Sequence, residues 1–173
     1  MPGPGKWVSC DFRAETSAWI KKGVHMKKYY VAYGSNLNLA QMAVRCPDAN
    51  VVGKSFLKDY RLMYKGTMTG AYLTVEKEEG SRLPVGIWEV EESDEASLDV
   101  YEGYPDLYYK KDLIVELDDG RKVDAFIYIM HEDRFFGMPS DEYVEVCTVG
   151  YKDFGFDEKY LEEALSYSKK QIG

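Results

Sequence analysis

The sequence predicts an α+β fold in which mainly antiparallel strands are flanked by helices. Three observations carry that expectation. The patterned segments run strand, helix, several strands, helix, hairpin and two helices. The connections between strands are short, which favours antiparallel pairing. No regular alternation of strand and helix marks a doubly wound parallel sheet.

The opening 25 residues, "MPGPGKWVSCDFRAETSAWIKKGVH", combine early Pro and Gly with no sustained periodicity. They read as an appendage, 1–25, on a domain spanning 26–173, with a second plausible start at Met26. The other reading of the appendage is an amphipathic segment that docks Trp7, Phe12, Trp19 and Ile20 on a partner. From Lys27 the pattern sharpens. "KKYYVAY" is aromatic and β-branched enough for a buried strand, and "GSN" breaks it. "LNLAQMAVRC" follows with helical spacing at Leu39, Met42 and Ala43 and is stopped by Pro47.

"NVVGKSFLKDYRLMY" reads as one or two strands. "AYLTVE" and "PVGIWEV" read as two more, separated by a turn at Gly80. In "SDEASLDVYEG", Ser93 is a suitable helix N-cap, Asp94 and Glu95 suit the positive end of the dipole, and Gly103 suits the position after the last turn. "YYKKDLIVEL", "DDG" and "RKVDAFIYIM" form the clearest hairpin. Two terminal helices follow, opened by Ser140 and Asp157.

Composition narrows the function classes. With 30 acidic against 22 basic side chains the net charge is −8, and no basic stripe interleaves with aromatics, so nucleic acid is not an expected partner. No apolar run approaches a membrane span, and residues 1–25 lack a signal peptide's apolar core, so a cytoplasmic protein without a membrane partner is expected. Cys10, Cys46 and Cys147 lie far apart, and neither His25 nor His131 has a second ligand at metal spacing. No metal is expected. The 15 tyrosines suit both sheet packing and the wall of a cavity. The phosphate-loop, dinucleotide and hydrolase-elbow motifs do not occur.

Two short segments carry candidate chemistry. "YGSN", Tyr33 to Asn36, ends a strand with glycine and small polar residues, a composition that turns backbone N–H groups toward one point and holds an anion, with a following helix adding its own free amides. An ordinary turn with Ser35 or Asn36 as helix cap fits the same residues. "VYEGYP" places Glu102 at a helix C-terminus, where the dipole disfavours an anion by a few tenths to about 1 kcal/mol. A solvated glutamate tolerates that cost. Against Tyr101, Tyr104, Tyr108 and Tyr109, however, a carboxyl acquires a raised pKa and becomes an acid–base candidate. Asp99 and Cys147 read as structural.

The segments "YVAYGSNLNLAQMAVRCPDANVVGKSFLKDYRLMY", "PVGIWEV", "LDVYEGYPDLYYKK" and "PSDEYVEVCTVGYKDFGF" occur in this order. Over roughly residues 28–165 the chain thereby resembles the γ-glutamylcyclotransferase family. The resemblance implies a small mixed β-barrel with flanking helices. It implies cyclisation of a γ-glutamyl amino acid or amine to 5-oxoproline with release of the amine, without a cofactor, by a monomer or homodimer whose partner is a small-molecule γ-glutamyl substrate. It makes Glu102 the catalytic acid–base, Tyr30, Val31, Ala32, Tyr33, Gly34, Ser35 and Asn36 the substrate-holding strand end and loop, and Tyr143 of "PSDEY" a binding tyrosine. Segments 63–83 and 131–138 depart from the pattern and bear on the leaving group. The alternatives are a γ-glutamylamine cyclotransferase acting on γ-glutamyl-lysine crosslinks, a non-catalytic binder, and a structural module. Whether the loop amides hold the α-carboxylate or an oxyanion stays open.

Overall fold

The computed structural model describes residues 20–21, 24–25, 27–67 and 69–173. The appendage expected at 1–25 lies outside the described residues except for two short strands, β1 (Ile20–Lys21) and β2 (Val24–His25), paired with each other.

The architecture is α+β. A six-stranded sheet holds β3 (Lys28–Ala32), β4 (Asn50–Thr67), β5 (Gly70–Val90), β6 (Tyr108–Glu116), β7 (Lys122–Met130) and β8 (Phe135–Phe136). Their order across the sheet is β6-β7-β3-β5-β4-β8, antiparallel throughout except for the parallel pair β3–β7. The sheet curls until β6 returns toward the first half of β4. There Ser55 Oγ donates to Glu116 O at 2.6 Å, and the Asp118 N–H reaches Lys54 O at 3.0 Å. The result is a half-closed barrel, the mixed and mainly antiparallel form that the resemblance implies.

One expectation is corrected along β5. β5 is one strand, and Gly80 does not separate two. The ladder pauses between the pairs Lys58↔Arg82 and Tyr60↔Lys77, leaving Asp59 and residues 78–81 out of register. Asp59 (φ 62°) and Gly80 (φ 84°) both adopt the left-handed conformation, and Asp59 Oδ1 accepts from the Gly80 N–H at 2.9 Å. A glycine in an extended run thus bends a continuous ribbon, as bulges do. On β4 the expectation of one or two strands resolves to one.

The helices are α1 (Leu39–Arg45), α2 (Glu92–Glu102), α3 (Asp141–Phe154) and α4 (Lys159–Ile172), with a 3₁₀ turn at Ser35–Leu37. α2 starts before Ser93, its expected cap: the N-cap is Glu91, whose N–H donates to Asp94 Oδ2 at 3.0 Å. Asp94 and Glu95 are buried there rather than displayed to solvent. Gly103 closes α2 in the left-handed conformation, as the sequence predicts. Ser140 caps α3 through the Tyr143 N–H at 3.2 Å. α4 begins at Lys159 with N-cap Glu158, one residue after the expected Asp157, although Asp157 Oδ1 still accepts the Lys159 N–H at 2.9 Å.

The core fills the curl of the sheet with Leu73, Leu83, Ile87, Ile127, Tyr64 and Tyr151, all nearly inaccessible. α3 lies over the 3₁₀ turn. Gly150 permits the approach, because a Cβ there would stand 2.6 Å from Asn38 N and 2.8 Å from Leu37 C. Tyr151 Oη donates to Tyr33 O at 3.1 Å, tying α3 to the loop that follows β3. Among the described residues no helix is long and apolar enough to cross a membrane.

Candidate active site

Burial of Tyr30 and Val31 fixes the end of β3 in the sheet, and Gly34 then turns the chain into the 3₁₀ turn. α2 leads Glu102 to the same point from the other side, because Gly103 ends the helix there. Between them lies a cavity of about 280 Å³. It is lined by Tyr30, Tyr33, Gly34, Ser35 and Asn36, by Val100 to Gly103, by Tyr72, Leu73, Leu107, Tyr108 and Tyr128, and by Tyr143 from α3.

Glu102 Oε1 accepts from Asn36 Nδ2 at 3.1 Å, and the same nitrogen donates to Tyr30 Oη at 2.8 Å. Asn36 Oδ1 accepts from Arg45. Trp88 Nε1 donates to Asn36 O at 3.0 Å, so the backbone beneath the side chain is held as well. Ser35 Oγ and Tyr101 Oη are 3.0 Å apart and share a hydrogen bond across the mouth. Tyr143 Oη accepts the Leu73 N–H at 3.1 Å, and Tyr108 Oη donates to Leu73 O at 2.7 Å. Both rings are thereby locked as cavity walls.

Burial against this tyrosine wall raises the Glu102 pKa from 4.5 to about 7, and the Arg45 guanidinium and the Asn36 hydrogen bond oppose the rise without cancelling it. Tyr30, Tyr33, Tyr108 and Tyr143 are pushed well above their ordinary value, chiefly by burial, so they line the cavity as neutral hydroxyls. A carboxyl that exchanges its proton near neutrality therefore faces a set of neutral donors and acceptors. That arrangement suits proton transfer on a small polar ligand.

Of the residues named from the sequence, Glu102, Tyr30, Tyr33, Gly34, Ser35, Asn36 and Tyr143 meet in the cavity. Val31 and Ala32 do not line it; they are wholly buried in the sheet. The cap of α1 is neither Ser35 nor Asn36 but Asn38, which accepts the Gln41 N–H at 3.0 Å. Asp153 Oδ2 takes the Leu39 N–H at 3.0 Å. Two of α1's first amides are thus engaged within the protein, and the anion-holding capacity expected from that helix narrows to the amides opening the 3₁₀ turn, which have no carbonyl one turn earlier.

Sequence reasoning missed Tyr72, Leu73, Val100, Leu107 and Tyr128 as lining residues, and Arg45 as the partner of Asn36. Arg45 lies nine residues from Asn36 and reaches it only because the chain reverses through the 3₁₀ turn into α1. Asp99 does not line the cavity; it accepts from Tyr128 Oη at 2.5 Å and Lys110 Nζ at 2.7 Å. Burial pushes the Cys147 thiol up to about 12, so it is no nucleophile. His131 Nε2 bonds Pro105 O at 2.7 Å, away from the cavity. Among the described residues no three His, Cys, Asp or Glu side chains stand together as a metal site.

Comparison with known proteins agrees with the topology. Residues 30–145 match the family model described as gamma-glutamyl cyclotransferase, AIG2-like. The chain is 28% identical over 142 residues to the gamma-glutamylcyclotransferase of Mus musculus, covering 78% of this chain and 75% of that protein. With its Homo sapiens counterpart the identity is 26%, with the same coverage. A solved structure described as gamma-glutamyl cyclotransferase superposes with a TM-score of 0.71 at 24% identity, over 80% of this chain and 86% of that one. A match running from the buried strand that carries Tyr30, through Glu102, to the helix that carries Tyr143 takes in well over half of the sequence, and on that ground the chain belongs to the gamma-glutamyl cyclotransferase, AIG2-like family.

Proposed function

We propose that the protein cyclises the γ-glutamyl group of a small γ-glutamyl amino acid or amine, releasing 5-oxoproline and the free amine. The observation that carries this reading is Glu102, with a pKa near 7, facing the 3₁₀ turn across one tyrosine-lined cavity. The family relationship supports the reaction class, and the cavity supplies the groups that such a reaction uses.

In this mechanism the substrate's α-amino nitrogen attacks its own γ-carbonyl carbon. One C–N bond forms, closing a five-membered ring, and the C–N bond to the leaving amine breaks. The α-ammonium gives up two protons overall and the released amine gains two, so charge is conserved. As carboxylate, Glu102 takes a proton from the α-nitrogen and delivers it to the departing nitrogen, a role worth about 10² to 10⁴ in rate. Tyr30 Oη accepts from Asn36 and keeps its own hydroxyl hydrogen for a ligand oxygen. The amides of the 3₁₀ turn serve the α-carboxylate or the developing oxyanion. Holding the flexible glutamyl chain in a bend supplies part of the acceleration, since well-oriented intramolecular reactants reach effective molarities on the order of 10⁵ M.

The test is to incubate the protein with γ-glutamyl-alanine, glutathione and γ-glutamyl-ε-lysine separately and to measure 5-oxoproline. Turnover of the first two, but not the third, places the leaving group among amino acids and peptides. Turnover of the third alone assigns the γ-glutamylamine class. No product from any of them, with 5-oxoproline still bound, describes a binder that lacks turnover.

A further inference from the structure

We propose that Arg45 is a positioning residue of this site, holding the Asn36 carboxamide in the orientation that presents its N–H to Glu102. The inference rests on the acid–base role proposed for Glu102.

A carboxamide turns through 180° at little intrinsic cost, and its two ends act oppositely on a carboxylate. Nitrogen donates a hydrogen bond, whereas oxygen repels. In this site Asn36 Nδ2 faces both Glu102 Oε1 and Tyr30 Oη, at 3.1 and 2.8 Å. Tyr30 Oη could satisfy either orientation, since a hydroxyl both donates and accepts. Arg45 cannot, because a guanidinium only donates. Its bond to Asn36 Oδ1 therefore selects the orientation.

The guanidinium is itself held on two further sides. It donates to Gln41 Oε1 at 3.1 Å, one helical turn back, and its Cζ lies 3.4 Å from the centre of the Tyr101 ring. Tyr101 shares its hydroxyl with Ser35, so the stack joins α1, the 3₁₀ turn and α2 around the mouth of the cavity. A lysine in the same place keeps a charge but not the planar fork or the ring stacking.

The titratable groups that sense Glu102 are Tyr30 on β3, Tyr33 just after it, Tyr108 on β6 and Tyr143 on α3. These phenols stay neutral near pH 7, whereas Arg45, from α1, acts on Glu102 as a positive charge. Removing Arg45 thus takes away a charge that favours the carboxylate and also frees the carboxamide to turn its oxygen toward it.

The experiment follows the Glu102 side-chain carboxyl by ¹³C NMR across pH 5–9, with the signal assigned by its loss in E102Q. In R45M the midpoint is expected to rise by about one pH unit, and in R45K by less than half as much. With the midpoint raised, 5-oxoproline formation at pH 7 falls about fivefold in R45M and recovers at higher pH. In an N36A background, the shift caused by R45M is expected to shrink, because the relay through the carboxamide is gone. Arg45 is partly exposed at the last turn of α1, and R45Q replaces R45M should the latter not fold. A folded R45M or R45Q whose Glu102 titrates like the wild type overturns the proposal. So does an undiminished shift in the N36A background, which makes Arg45 a distant charge only. If the wild type makes no 5-oxoproline, the proposed reaction fails, while the carboxyl titration still decides the role of Arg45.

Discussion

Replacing Glu102 with glutamine separates what burial does to the protein from what the carboxyl does for chemistry. In the folded protein the Glu102 pKa stands near 7 against an ordinary 4.5. The folded state therefore binds more proton than the unfolded state between those values, and stability falls as pH rises through that window. At about 1.4 kcal/mol for each tenfold difference in proton affinity, the gap amounts to about 3 kcal/mol, absent below pH 4.5 and fully expressed above pH 7. Glutamine does not titrate, and it can still accept from Asn36 Nδ2. E102Q should therefore gain stability relative to wild type by about 3 kcal/mol between pH 4 and pH 8. The assay is urea unfolding of both proteins at intervals across that range, comparing midpoints at constant slope. Parallel stability curves would refute the reasoning, since they require Glu102 to ionise alike in the folded and unfolded chains. A gain confined to a few tenths of a kcal/mol would reduce the effect to the helix dipole alone.

In activity, E102Q should form 5-oxoproline at least about 10²-fold more slowly while still binding ligand, and the wild-type kcat/KM should rise with pH through a limb near 7 that the variant lacks. Tyr143→Phe removes the acceptor of the Leu73 N–H and should cost about 1–3 kcal/mol of stability, measured by denaturant unfolding. Gly150→Ala places a methyl against the backbone of Leu37 and Asn38; overpacking of about 1–3 kcal/mol should outweigh its gain in helix propensity, and displacement of the 3₁₀ turn should raise KM. Turnover should persist in a chelator; activity abolished by it and restored by a divalent cation would contradict the cofactor-free mechanism.

The elements most legible in the sequence were those whose ends carry their own chemistry. Ser140 and Gly103 mark helix ends because each supplies a local device, a hydroxyl acceptor or a left-handed glycine. The hairpin around residues 118–120 was equally plain. β5 was misread because Gly80 looks alike in a turn and in a bend, and the difference lies in Asp59, 21 residues away, which takes its N–H. The start of α2 was misplaced for a similar reason. Ser93 has the better intrinsic capping propensity, but burial of Asp94, with its carboxylate on the Glu91 N–H, moves the helix start two residues earlier than the sequence suggested.

The site divides along the same line. Glu102 stood out because a carboxylate at a helix C-terminus contradicts a local rule, and such contradictions gather at functional positions. The dipole cost that drew attention to it is under about 1 kcal/mol, however, and the larger influence is burial, which depends on tyrosines from five separate parts of the chain. Local sequence exposes the small term and conceals the large one. Val31 and Ala32 show the converse: they sit within the motif, yet Val31 alternates away from Tyr30, and Ala32, on the same side of the strand as Tyr30, is wholly buried beside β5. Arg45 had no local signal at all, since an arginine in the last turn of a helix already satisfies the dipole rule. Its bond to Asn36 appears only once the 3₁₀ turn has folded α1 back beside the cavity, so the group that orients the carboxamide was legible only from the structure.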